Sequence, residues 1–194
     1  MKRPKDWDDV KPYDDIRRLP AGGYICEIKK VEDPYKDKDM IAVRFDVAEG
    51  EYKGIFFDEA MARKANNPDF GWPFAGSKWI GYFDRDGNTN RMLKGFVNAV
   101  EAENVKIDDG KTLNFDKAVG ALVGVVFGEE EQLNSVGSVY VRAVPSFFCT
   151  CEDIRTNNYK LPKKKELKRG DSVRRMQELG SADSFTAVDE EVPF

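Results

Sequence analysis

Apolar and polar residues alternate over residues 40–48: Ile41, Val43, Phe45 and Val47 face one way, and Ala42, Arg44 and Asp46 the other. That period of two predicts a half-buried strand. A strand is also predicted over residues 24–32, after the Ala21-Gly22-Gly23 turn, and a short third over 55–58, after turns at Gly50 and Gly54. The period breaks over 59–78, where Asn66-Asn67-Pro68 and Trp72-Pro73 act as punctuation. A short helix near 60–64 is expected there, then a loop carrying Phe70, Trp72 and Phe74. Residues 78–83 read as another strand, closed by the Asp86-Gly87 turn. Leu93, Phe96, Val97 and Val100 share one helical face and predict a helix over 91–103. Residues 105–107 and 113–115 flank Asp108-Asp109-Gly110 as a hairpin, and 121–127 and 138–145 read as two further strands.

The order is three strands, an insert, a helix and two closing strands. It predicts a mainly β fold: a five-stranded antiparallel barrel like the oligonucleotide/oligosaccharide-binding (OB) fold. One helix lies between strands 3 and 4, and there is an inserted loop or hairpin region. Four parts follow: an extended N-terminal arm (1–20), the barrel domain (21–151), a basic, mostly disordered linker (152–188) and an acidic tip (189–194). A short helix is compatible with 171–179.

The 194 residues and 41% hydrophobic content allow one core, and 34% charged residues give solvated margins. The longest apolar run, 119–127, is interrupted by Gly120 and Gly124, so no membrane partner is expected. The N-terminus shows no secretory apolar stretch. Cys26, Cys149 and Cys151 have no zinc spacing and suggest reduced cytoplasmic thiols. The chain has no histidine, which removes the commonest general base and most transition-metal sites. The expectation is a non-enzyme without cofactor or metal.

Charge is uneven. Residues 155–175 hold nine Lys/Arg against two acids, while 181–194 hold four acids and no base. The barrel region is not basic, so polyanion binding has to use a local patch and the basic segment. Lys29, Arg44, Tyr140 and Arg142 fall on outward faces of predicted strands and could line a groove. Phe70, Trp72, Phe74 and Trp79, interleaved with Arg63, Lys64 and Lys78, suit base stacking, with Trp72 and Phe74 the expected exposed pair. Lys160, Lys163, Lys164, Lys165, Lys168 and Arg169 suit sequence-independent phosphate contact. Asp84-Arg85-Asp86-Gly87 lacks calcium-loop spacing and reads as a turn, and a nuclease using Asp84 and Asp86 is the weakest reading. Cys149-Thr150-Cys151, read as strand, places two thiols on one side.

The last six residues, Asp189-Glu190-Glu191-Val192-Pro193-Phe194, combine an acidic run with a terminal ring and carboxylate. Such a peptide can seat its ring in an apolar pocket and its carboxylate on an arginine. It resembles the terminal peptide of bacterial and phage single-stranded-DNA-binding proteins. Two further stretches resemble a phage family of single-strand-binding proteins long catalogued as a domain of unknown function. One runs from Leu19-Pro20-Ala21-Gly22-Gly23-Tyr24 through the 41–48 strand to Glu49-Gly50-Glu51-Tyr52-Lys53-Gly54. The other is Leu93-Lys94-Gly95-Phe96 followed by Asp116-Lys117-Ala118-Val119-Gly120. The resemblance spans roughly 19–145 and implies a barrel fold and a role in phage replication or recombination. It implies single-stranded DNA as a partner, with replication and recombination proteins recruited through the tip in the host cytoplasm. Self-association into a homo-oligomer is compatible with the sequence. The alternative is a recombination accessory or adaptor protein whose barrel binds protein.

Overall fold

A computed structural model describes residues 17–33, 39–134 and 137–167. Five strands form one antiparallel sheet: β1 (Gly22–Glu32), β2 (Met40–Val47), β3 (Ser77–Gly81), β4 (Leu122–Leu133) and β5 (Val139–Cys149). Their order is β3-β2-β1-β4-β5, and the sheet curls into a nearly closed OB-like barrel. Lys78 bridges the gap between its end strands, donating from Nζ to the Pro145 carbonyl at 2.8 Å. Alternation builds the interior: Cys26, Ile28, Ile41, Val43, Phe45, Val47, Ile80, Val123, Val125 and Phe127 are buried together. Phe45 sits among Phe56, Phe127 and Phe148 with ring centroids 5.9–6.2 Å apart.

Helix α2 (Arg91–Glu101) lies between β3 and β4, as the pattern predicts. Asn90 caps it by accepting the Met92 N–H at 2.9 Å. Its buried face is Leu93, Phe96, Val97, Ala99 and Val100.

The expected strand over 55–58 is instead the first turn of α1 (Ile55–Asn66). The cause lies on β2. Buried Asp46 accepts the amides of Val47 and Phe56 on Oδ1 and that of Phe57 on Oδ2, at 2.9–3.1 Å. Two of those donors are the free N–H groups of a helix N-terminus, so the carboxylate both caps α1 and ties it to the sheet. The expected helix near 60–64 falls inside α1. The expected 105–115 hairpin is reduced to a single bridge between Asp108 and Leu113, and Phe115–Ala118 forms a 3-10 turn.

Both closing strands run beyond their predicted ends, forming a β4–β5 ribbon that continues past the barrel. Residues 152–167, expected within a disordered linker, are instead placed on the barrel. Thr150 ends β5 and caps α3 (Cys151–Arg155) through a reciprocal pair of hydrogen bonds with Asp153. This turn also separates Cys149 from Cys151, so the two thiols do not share a strand face. Gly124 gives α3 its seat: a Cβ there would fall 2.7 Å from the Thr150 carbonyl oxygen and 2.8 Å from Ile154 Cγ1. Beyond α3, Tyr159 accepts the Gly23 N–H on its hydroxyl at 3.0 Å. The chain then lies along β4, bridging Glu130 in parallel through Lys165. The arm before residue 17, the expected helix over 171–179, Lys168 and Arg169, and the tip at 189–194 lie outside the described residues. No helix among the described residues is long and apolar enough to cross a membrane.

Candidate nucleic-acid interface

β2 and β3 pair Ala42 with Trp79 and Arg44 with Ser77, so these side chains rise from one face of the sheet. With Trp72 and Phe74 they line a depression of about 140 Å³. Phe74 sits on the 3-10 turn Phe74–Gly76 and is 61% exposed, and Trp79 is 39% exposed. Trp72 is the correction. Its indole Nε1 donates to the carbonyls of Gly76 (2.9 Å) and Phe45 (3.3 Å), so it anchors the turn and leaves Phe74 and Trp79 as the exposed aromatic pair. Gly76 is required for this arrangement, because a Cβ would come 2.6 Å from that indole nitrogen. Phe70 lies further off under the guanidinium of Arg63, 5.0 Å from its ring centre.

Arg142 of β5 lies against Phe74, one of the residues lining the depression. Its guanidinium carbon lies 4.9 Å from the centre of the Phe74 ring, a cation–π contact. Nε and Nη2 are buried and have no hydrogen-bond partner among the described residues. Leaving buried, charged donors unsatisfied costs more than about 1–3 kcal/mol, and a cost of that size calls for an explanation. Tyr140, on the same face of β5, donates its hydroxyl to Gln132 Oε1 at 3.2 Å.

The remaining predicted cations do not extend this surface as a basic groove. Lys29 sits at a bulge in β1, paired with Glu27 at 2.8 Å and close to Asp46. Arg44 is paired with Glu32. Lys78, assigned to DNA by its position beside Trp79, alternates to the Ile80 side and reaches Pro145. Burial holds its ammonium below the ordinary value, with Lys165 pushing the same way and Glu130 opposing. Lys164 pairs with Glu131 at 2.7 Å and Lys165 with Glu130 at 3.7 Å, so the basic run is partly neutralised by the acidic end of β4. Lys160 and Lys163 are exposed. Glu131 is held below the usual carboxylate range by Lys164 and by the Leu167 N–H.

The structure therefore gathers Arg44, Trp72 and Phe74, adds Trp79, sets Arg142 against Phe74, and leaves Tyr140, Lys29, Lys78 and Lys163–Lys165 outside the depression's lining. Sequence reasoning placed Trp79 in the aromatic cluster but missed its exposure, although its alternation with Ile80 marks the outward face. Asp84 accepts the amides of Asp86 and Asn88 on Oδ1, both at 2.9 Å, which makes 84–88 a self-contained polar turn. Among the described residues no group of His, Cys, Asp or Glu is placed to hold a metal. Compared with known proteins, the chain matches no family model and no curated protein.

Proposed function

We propose that the protein binds single-stranded DNA, without catalysis and without strict choice of sequence, along the surface built from β2, β3, β5 and the Phe74 turn. One observation carries the reading: the Arg142 guanidinium lies on Phe74 with two donors unpartnered, beside the exposed ring of Trp79. Bases stack on such rings for about 1–3 kcal/mol each, and a guanidinium fork matches phosphate oxygens. The fold supports the reading by analogy, since OB barrels take oligonucleotides on the face of their second and third strands. A replication or recombination role in a phage or prophage, in the host cytoplasm, belongs to the same proposal. So does recruitment of partner enzymes through Asp189–Phe194.

The test is a tryptophan fluorescence titration with poly-dT at several salt concentrations. Quenching is expected, with log K falling by about 0.7 per phosphate neutralised for each tenfold rise in salt. Quenching absent at low salt, or indifferent to salt, refutes the proposal.

A second reading, an accessory or adaptor protein whose barrel binds protein, draws on α1. Phe57 and Met61 stand one turn apart and are 53% and 54% exposed. This reading expects partners captured from phage-infected cells to survive deletion of residues 189–194 and to be lost in Phe57→Ser/Met61→Ser, with no affinity for single strands.

A further inference from the structure

Glu130 of β4 and Arg142 of β5 are direct partners in the ribbon, a placement that ordinarily yields a cross-strand ion pair. That pair is not made. Glu130 accepts from Gln132 Nε2 at 3.3 Å and lies 3.7 Å from Lys165 Nζ. Arg142 instead turns onto Phe74 and keeps Nε and Nη2 without an acceptor. Lys165 reaches Glu130 because its backbone is stitched to the β4 edge: its N–H donates to Glu129 O and its carbonyl accepts the Glu131 N–H, both at 2.9 Å. Lys164 and the Leu167 amide hold Glu131 on either side of that stitch. Lys78 is a second cation close to Glu130.

We infer that Lys165 is a positioning residue: by engaging Glu130 it keeps the Arg142 guanidinium unpaired, so that a phosphodiester of the bound strand can draw it off Phe74 without competition from Glu130. The inference rests on the DNA-binding reading above and supplies its regulation. With the 163–167 strap docked, Glu130 is occupied and the two buried donors of Arg142 have no acceptor among the described residues. With the strap released, Glu130 stands directly opposite Arg142, and an ion pair between them competes with the ligand. Linkage makes the effect reciprocal, so a strand bound at Arg142 favours the docked strap. A basic run that merely touched phosphate would behave differently, because its lysines would leave the β4 edge to do so.

A double-mutant cycle separates the two. Wild type, Lys165→Gln, Glu130→Gln and the double variant are titrated against a fluorescent dT oligonucleotide by anisotropy. Lys165→Gln alone should weaken binding about tenfold, as expected when a competing charge is released at an interface. Glu130→Gln should bind at least as tightly as wild type. The double variant should match Glu130→Gln to within about twofold, because no competitor remains. Equal losses from Lys165→Gln in both backgrounds, or no loss in either, overturn the inference while leaving DNA binding intact. Absence of wild-type binding overturns the DNA reading and the inference with it. Hydrogen exchange gives a second readout. Oligonucleotide should slow exchange at the Lys165 and Glu131 amides in wild type and leave it unchanged in Glu130→Gln; faster exchange on binding contradicts the coupling.

Discussion

Adding a single methyl group at two glycines should move stability in opposite directions. In Gly124→Ala, the new Cβ would lie 2.7 Å from the Thr150 carbonyl oxygen and 2.9 Å from that of Cys149. Carbon–oxygen contacts settle at about 3.3–3.6 Å, so roughly 0.6 Å must be found. Both oxygens are backbone, at the corner where β5 turns into α3, and a rotamer change cannot move them. Relief requires lifting Thr150 and Ile154 off β4, which disturbs the α3 cap and the path of the strap beyond it. Overpacking of this kind costs about 1–3 kcal/mol, and the reduced freedom of the unfolded chain returns only about 0.4–1 kcal/mol. Gly95 is the opposite case. It lies inside α2 and a Cβ there meets only the Phe148 carbonyl, at 3.9 Å. Gly95→Ala should therefore gain up to about 0.8–1.0 kcal/mol from helix propensity. For a chain of 194 residues each kcal/mol shifts Tm by about 2–4 °C. Calorimetric melts of both variants should place Gly124→Ala below wild type and Gly95→Ala above it. A Gly124→Ala protein melting at or above wild type would refute the packing of α3 on β4.

Other outcomes follow from the same geometry. Trp79→Ala and Phe74→Ala should each weaken dT binding by about 1–3 kcal/mol, and Phe70→Ala should leave affinity alone, as anisotropy titrations will show. Asp46→Asn sets an amide N–H2 or a lost acceptor against one of three buried backbone donors. Urea melts should report a loss of at least about 1–3 kcal/mol. Burial raises the Cys149 thiol to about 11 and the Cys151 thiol to about 12, with Asp153 and Glu103 adding to the effect. Between pH 9 and those values the unfolded chain has released thiol protons that the folded chain still binds, so stability should fall as pH rises through that window. Tm measured from pH 8 to 11 under reducing conditions should decline, less steeply in Cys151→Ala; a flat profile contradicts the burial.

The sequence by itself determined β2 and α2, because alternation over 40–47 and the Leu93–Val100 stripe are local periods that one chain segment carries in full, while the strand expected over 55–58 is helical and β3 falls at 77–81. It also determined the aromatic and cationic types from which a single-strand interface could be assembled. Tertiary structure decided how those residues are used. Asp46 turned an apolar run ten residues away into a helix by offering it a carboxylate cap. Gly76 and two carbonyls drew Trp72 inward and left Trp79 out. Glu130 and Glu131 met Lys165 and Lys164 across the edge of β4, so a run that reads as free positive charge is partly neutralised in the fold. Periodicity reports which way a residue faces within its own element. Burial, pairing and the two unpartnered donors of Arg142 depend on what other elements bring to that face.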